Sequence, residues 1–148
     1  MYKLFAKFGN KKSEMTVEEK IQYWIKLSDN DLKVAHTLLK GKHYLYVGFM
    51  CHQVIEKIFK AYYTKLKADT APHTHDLRYI AIVADFWKNL SDVQQSQVVE
   101  LLPLQIEARY PEYKNRIAQA LTEVKSKQLI EQVKLLQQWT KEQILLKK

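Results

Sequence analysis

The sequence predicts an all-α fold, and three observations support this prediction. The 148 residues include only three glycines and three prolines, too few for the many tight turns of a sheet protein. Long segments repeat their apolar residues with the period of an α-helix. The length suits one domain, and a composition of 47% hydrophobic and 27% charged residues is ordinary for a globular protein. We therefore expect a single helical domain over residues 16–148.

The first predicted helix covers residues 17–40. Thr16 and Glu19 have the spacing of a capping box, in which each side chain bonds to a backbone amide of the other residue. Apolar residues then recur at helical spacing: Val17, Ile21, Trp24, Leu27, Leu32, Ala35, Leu38 and Leu39. Gly41 is expected to end the helix in a left-handed conformation.

The second predicted helix runs from Tyr44 to Lys67. A spacing of about 100° per residue gathers one largely apolar face: Leu45, Gly48, His52, Ile55, Phe59, Tyr62, Tyr63 and Leu66. A second, polar face collects Gln53, Lys57, Lys60, Thr64 and Lys67. Its lysines have two interpretations, a solvated surface or a source of attraction for phosphate, and we favour the solvated surface.

Breakers and caps divide the rest of the chain. Pro72 interrupts a linker in which Thr74 or Asp76 is suited to cap a third helix over residues 77–90. Ser91 and Gln94 repeat the capping-box spacing at the start of a fourth helix, which Pro103 should interrupt or kink. Further on, Pro111 disfavours a helical Tyr110, and a short helix is expected over residues 114–122. A long helix follows, with Val124, Ile130, Val133, Leu136 and Ile144 on or near its buried side.

The net charge of +8 is concentrated at the two ends of the chain. Residues 1–14 carry four lysines and Glu14, and residues 141–148 carry three lysines and Glu142. We expect residues 1–15 to form a flexible basic arm, because they show no sustained periodicity. The start lacks the apolar run of a secretory signal, and no stretch could span a membrane, so we expect a cytoplasmic protein. The single cysteine, Cys51, is expected to be a buried apolar residue.

The histidines raise the question of a metal site. His52 and Glu56 are four residues apart on one helix, and His73 and His75 follow in the linker. This pattern lacks the H-E-x-x-H arrangement of zinc enzymes, so we predict no metal and no cofactor. We instead expect His52 to donate one ring hydrogen to another helix, and Glu56 to pair with a neighbouring lysine or to cap the next helix.

Four motifs in order resemble the HEPN family, the higher eukaryote and prokaryote nucleotide-binding domains. They are W-x3-S-D-x-D-L-x-x-A at residues 24–35, H-Q-x-x-E-K-x-x-K-A at 52–61, T-H-D-L at 74–77 and A-R-Y-P-x-Y at 108–113. The resemblance implies an up-and-down bundle of about five helices, often dimeric. It also implies that His52, Gln53, Glu56, Asp76 and Pro111 serve the architecture of the fold.

Many members of this family are ribonuclease toxins that act without a metal and are paired with a nucleotidyltransferase antitoxin. These nucleases carry an arginine followed after four to six residues by a histidine. After Arg109 the corresponding positions hold Lys114, Asn115 and Arg116, so the usual catalytic pair is missing. We therefore predict a module that binds a nucleotide or RNA, with a nucleotidyltransferase partner in a toxin-antitoxin-like or stress/defence system.

The predicted ligand site centres on the A-R-Y-P-x-Y motif. Arg109 is suited to a bidentate phosphate contact and Tyr110 or Tyr113 to base stacking, with Lys57 and Lys60 adding positive charge. Three alternatives stay open. Arg109 pairs with Glu56 or Glu112 while the tyrosines pack between helices; Arg109 works with His52 or His75 as a non-standard ribonuclease; or the bundle only dimerises.

Overall fold

The computed structural model describes residues 15–107 and 109–146. Only Met15 of the predicted basic arm belongs to this described part. The described residues contain six α-helices, two short 3-10 helices and no strand, which confirms the all-α prediction. The α-helices are α1 Val17–Lys40, α2 Tyr44–Lys67, α3 Leu77–Val83, α4 Asp92–Leu101, α5 Pro111–Ala120 and α6 Glu123–Leu145.

Helices α1 and α2 form an antiparallel pair. Lys20, near the start of α1, bonds to Thr70 just beyond the end of α2, whereas Asp31, later in α1, bonds to Lys57. The two capping boxes predicted at Thr16 and Ser91 are both present. These caps satisfy backbone amides that a helix start leaves without partners, so the local sequence determines where α1 and α4 begin.

Helix α2 occupies the centre of the bundle. Thirteen of its 24 residues are buried, because α1, α6 and α3 all pack against it. A buried polar chain links the three long helices: Gln137 of α6 donates to the Ser28 hydroxyl at 2.9 Å, and Ser28 donates to the Val54 carbonyl at 2.7 Å. Burial therefore extends well beyond the single apolar face predicted for α2.

The loop between α1 and α2 differs from the prediction at Gly41. Gly41 has right-handed helical angles, φ −81° and ψ 0°, and the next residue, Lys42, takes the left-handed conformation with φ 64°. The left-handed residue that ends α1 is therefore Lys42, one position after the predicted Gly41.

The connection after α2 also differs from the prediction. Helix α3 ends at Val83 instead of continuing to Leu90. Asp85 has φ 66°, a 3-10 turn covers Trp87–Asn89, and Phe86 between them is fully buried. A chain reversal that carries Phe86 into the core thus replaces the last turns of the predicted helix.

Helix α4 ends at Leu101, and Pro103 lies in a 3-10 turn, Leu102–Leu104, as its helix-breaking character predicted. The short helix α5 starts at Pro111, three residues earlier than expected, because proline is well suited to the first helical position. Tyr110 is extended, as predicted, with φ −72° and ψ 155°. These breaks place the A-R-Y-P-x-Y motif where the chain enters α5.

Gly48 brings the end of α5 close to α2. A Cβ at this position would lie 2.7 Å from Cδ1 of Leu121. The residue after α5 therefore packs directly on the α2 backbone. No helix in the described part of the chain is long and apolar enough to cross a bilayer.

Candidate functional site

Three polar side chains of α2 are buried one helical turn apart. His52, Glu56 and Lys60 expose 0%, 2% and 5% of their surfaces. His75, from the linker between α2 and α3, reaches the same place and leaves 58% of its side chain exposed. We call these four residues the α2 polar cluster.

Glu56 is the centre of this cluster. Its carboxylate lies 3.0 and 3.2 Å from Nδ1 of His75 and accepts a hydrogen bond of 3.0 Å from Nζ of Lys60. The Lys60 ammonium also lies 5.3 Å from the centre of the Trp24 ring. The lysine charge is thus balanced inside the bundle, and the prediction of a solvated Lys60 was wrong.

Lys57 also has a protein partner. Its ammonium lies 2.6 Å from the carboxylate of Asp31 on α1, and both side chains are largely buried. The two lysines expected to attract phosphate are therefore both paired with carboxylates: Lys57 joins α2 to α1, and Lys60 bonds to Glu56 within α2.

His52 ties the linker to α2. Its Nε2 lies 3.1 Å from the backbone carbonyl of His75, and the Gln53 side-chain amide lies 3.3 Å from its Nδ1. The acceptor lies in the linker, whereas we expected one on another helix. Burial lowers the pKa of His52 below its usual 6.5, the nearby Glu56 charge only partly opposing this effect.

This lowered pKa predicts a loss of stability in mild acid. The unfolded chain takes up a proton at His52 near pH 6.5, whereas the folded chain takes it up only at lower pH. The unfolded state thus binds more protons in this window, so the free energy of unfolding should fall as the pH is lowered from about 7.5 to 5. Urea denaturation across this range measures the effect.

A His52→Gln variant is the control for this pH dependence. Glutamine can still donate to the His75 carbonyl but does not titrate, so its stability should vary less with pH over the same range. Asp85 and Glu123 have pKa values lowered below 3.8 and 4.5 by hydrogen bonds from Lys67 and Lys127, and they titrate in stronger acid. If the free energy of unfolding changes equally with pH in the variant and in the wild-type protein, His52 is not the group responsible.

No group of three or more metal-binding side chains assembles within residues 15–107 and 109–146. Cys51 is fully buried, and burial raises the pKa of its thiol to about 12. The thiol is protonated at neutral pH and acts as a small apolar side chain, in agreement with the expectation from its surroundings.

A second cluster forms where the chain enters α5. The guanidinium carbons of Arg109 and Arg116 lie 4.8 and 5.5 Å from the centre of the Tyr113 ring. The Tyr113 hydroxyl donates to the Pro103 carbonyl at 2.8 Å, which fixes the ring. We call Arg109, Tyr113 and Arg116 the arginine cluster.

The arginine cluster carries charge without a carboxylate partner. Within the described residues neither Arg109 nor Arg116 forms an ion pair, and neither Glu56 nor Glu112 accepts a hydrogen bond from Arg109. Arg109 donates only through Nε, to the Gln105 carbonyl at 3.2 Å, so both terminal NH2 groups stay available. Tyr110, next to Arg109, is 81% exposed.

A model of one protein family matches most of the chain. Its description is HEPN domain, and the match covers residues 21–144. The chain belongs to the HEPN family. This match confirms the family inferred from the four motifs. HEPN domains are helical nucleotide-binding or ribonuclease-like modules. Comparison with curated proteins and with solved structures gave no match.

Of the three residues proposed for catalysis in this HEPN domain, His52 and His75 are in contact, through the His75 carbonyl. No hydrogen bond or ion pair in the described part of the chain joins Arg109 to His52 or His75. Asp76 caps α3 by accepting from the Tyr79 amide at 3.1 Å, a role in the architecture.

Sequence reasoning missed Arg116 and Gln105. Arg116 lies three residues after Tyr113 on α5, and this spacing places two side chains on the same face of a helix. The sequence therefore contained enough information to predict this contact. Gln105 lies in an irregular segment, and its Nε2 is buried without an acceptor among the described residues. No sequence pattern marks such a residue.

Proposed function

We propose that this HEPN domain binds a nucleotide or single-stranded RNA through the arginine cluster and Tyr110. The observation that carries the proposal is the convergence of Arg109 and Arg116 on one tyrosine ring without a carboxylate partner among the described residues. The chain has only three arginines, and two of them belong to this cluster. Guanidinium groups without a carboxylate partner are suited to a phosphate, which accepts bidentate hydrogen bonds from them.

The two tyrosines have different roles in this proposal. Tyr113 is held by its hydroxyl bond to Pro103 and has both arginines against its ring, so it positions the guanidinium groups. Tyr110 is exposed and is the side chain available to stack on a base. Lys57 and Lys60 are left out of the binding site, because their ammonium groups are paired with Asp31 and Glu56.

Two further features support an anionic ligand here. The N-terminus of α5 begins at Pro111 beside Arg109, and a helix N-terminus carries a partial positive charge. The Gln105 carbonyl accepts from Nε of Arg109, which leaves the terminal NH2 groups of this guanidinium as donors. A phosphate oxygen is a suitable acceptor for such donors.

The proposal includes binding without cleavage, because no histidine follows Arg109 at the spacing of the family nucleases. It also includes a homodimeric state, a cytoplasmic location and a nucleotidyltransferase partner in a toxin-antitoxin-like or stress/defence system. The homodimer and the partner are properties that the family implies, and the location is the expectation drawn from the sequence.

The test is binding of fluorescently labelled single-stranded RNA and of labelled ATP at several salt concentrations, in the presence of EDTA. Arg109→Gln and Arg116→Gln should each weaken binding about tenfold or more, because each removes a charged hydrogen bond to phosphate. Each should also reduce the salt slope for RNA by about 0.7 for every phosphate that the variant no longer neutralises. Tyr110→Ala should weaken binding but leave the salt slope nearly unchanged.

Arg78→Gln is the matched control, since Arg78 is the third arginine and is exposed on α3. It makes the same charge change and should leave affinity nearly unaltered. Equal weakening by Arg78→Gln would indicate unspecific attraction to a basic protein and would contradict the site. RNA cleavage that disappears in Arg109→Gln would instead identify a ribonuclease.

A further inference from the structure

We propose that Nε2 of His75 is a nucleophile that accepts a phosphoryl group, activated by the buried carboxylate of Glu56. This site uses residues other than those of the proposed nucleotide site, and its test does not depend on RNA binding. The proposal rests on the arrangement of His75 between a buried acid and open solvent.

Glu56 determines which ring nitrogen of His75 is available. Its two carboxylate oxygens lie 3.0 and 3.2 Å from Nδ1, so Nδ1 keeps its hydrogen and donates it to the carboxylate. In the neutral ring the lone pair is therefore on Nε2. Nε2 makes no hydrogen bond within the described residues, and the side chain is 58% exposed.

Hydrogen bonds hold both Glu56 and the His75 backbone in place. Glu56 is 2% exposed and is held by Lys60, which is itself 5% exposed. The His75 backbone is fixed as well, because its carbonyl accepts from Nε2 of the buried His52 at 3.1 Å. An imidazole whose inner nitrogen is bonded to a fixed carboxylate is oriented for reaction at its outer nitrogen.

The chemistry is a simple displacement. The Nε2 lone pair attacks phosphorus, a P–N bond to the histidine forms, and the bond between phosphorus and the leaving group breaks with its electron pair. No oxidant or reductant takes part. The ring becomes cationic with its hydrogen still on Nδ1, and the Glu56 carboxylate stabilises that positive charge through a stronger hydrogen bond. The expected donor is a small molecule with a labile phosphoryl group, such as an acyl phosphate or a phosphoramidate.

The chain supplies an internal comparison for this reactivity. His73 is two residues away and exposed, and it forms no ion pair with a carboxylate in the described part of the chain. His36 and His43 likewise have no carboxylate partner among residues 15–107 and 109–146. Among the five histidines, only His75 combines an exposed side chain with a buried acid on Nδ1.

The experiment treats the full-length protein with potassium phosphoramidate at neutral pH, where the leaving nitrogen departs as ammonia. Mass spectrometry without acid steps follows each histidine, and phosphorus NMR distinguishes the two ring nitrogens. His75 should react roughly fivefold to tenfold faster than His73 in the same molecules, and at Nε2, because a hydrogen bond strengthens when one partner becomes charged.

Glu56→Gln should lower the His75 rate to that of His73, and Glu100→Gln is the matched control. Glu100 is also paired with a lysine, Lys125 at 2.8 Å, but on the surface, so its loss should not change the His75 rate. Equal rates for His75 and His73 in the wild-type protein, or reaction at Nδ1, overturn the proposal. An unchanged rate in folded Glu56→Gln overturns it too, and the wild-type comparison decides the matter if that variant does not fold.

Discussion

Glu56→Ala should lower the free energy of unfolding by about 3–5 kcal/mol, because it leaves a buried lysine charge without its partner. Glu56 and Lys60 are 2% and 5% exposed, and their charged atoms are 3.0 Å apart. The Trp24 ring beside Lys60 compensates only part of the charge. Urea denaturation at neutral pH, followed by circular dichroism, measures the loss.

Two variants separate the buried charge from the loss of side-chain volume. Glu56→Met combined with Lys60→Met removes both charges and keeps apolar volume, so this protein should recover most of the lost stability. Glu100→Ala breaks an exposed ion pair with Lys125 and should cost less than about 1 kcal/mol. If the double variant is as unstable as Glu56→Ala, the effect does not come from the unpaired lysine.

The long helices were predictable because their signals are local. The start of α1 follows from Thr16 and Glu19, whose side chains bond to each other's backbone amides within one turn. The end of α4 follows from Pro103, and the extended Tyr110 follows from Pro111. Each of these residues acts on neighbours within three or four positions, so the sequence alone carries the information.

The burial of Lys60 was not predictable for the opposite reason. Helical periodicity assigns it to a polar face, and only the packing of other elements decides whether that face meets water. Trp24 comes from α1, and His75, the other partner of Glu56, comes from a linker 19 residues further along the chain. An amphipathic pattern identifies one buried face but does not reveal that a central helix is surrounded.

In the candidate binding site, too, the local feature was predictable from the sequence and the tertiary contact was not. The position of Arg109 at the entrance to a helix was visible in the motif, because Pro111 restricts the residue before it. The meeting of Arg109 and Arg116 on Tyr113 depends on the bond from Tyr113 to Pro103, ten residues away across an irregular segment. Contacts made across such a segment have no periodic signature in the sequence.

Phe86→Ala should also lower the free energy of unfolding by about 3–5 kcal/mol, since it empties a fully enclosed site. The Phe86 ring lies edge-on to Phe59, with ring centres 5.0 Å apart, and its centre is 4.5 Å from that of Tyr62. Both partners are on α2, so Phe86 anchors the segment after α3 to the central helix. The measurement is urea denaturation of the variant and the wild-type protein at neutral pH.

This anchor explains why α3 is shorter than its sequence pattern suggests. A helix continued past Val83 would leave out the reversal at Asp85, and that reversal directs Phe86 towards Phe59. Burying an aromatic side chain outweighs the strain of one left-handed aspartate and the loss of a few helical hydrogen bonds.

Tyr79→Ala removes a half-exposed aromatic ring from α3 itself and should change stability by no more than about 0.5 kcal/mol. Equal losses in the two variants would mean that α3 as a whole, and not Phe86, holds this segment on the bundle.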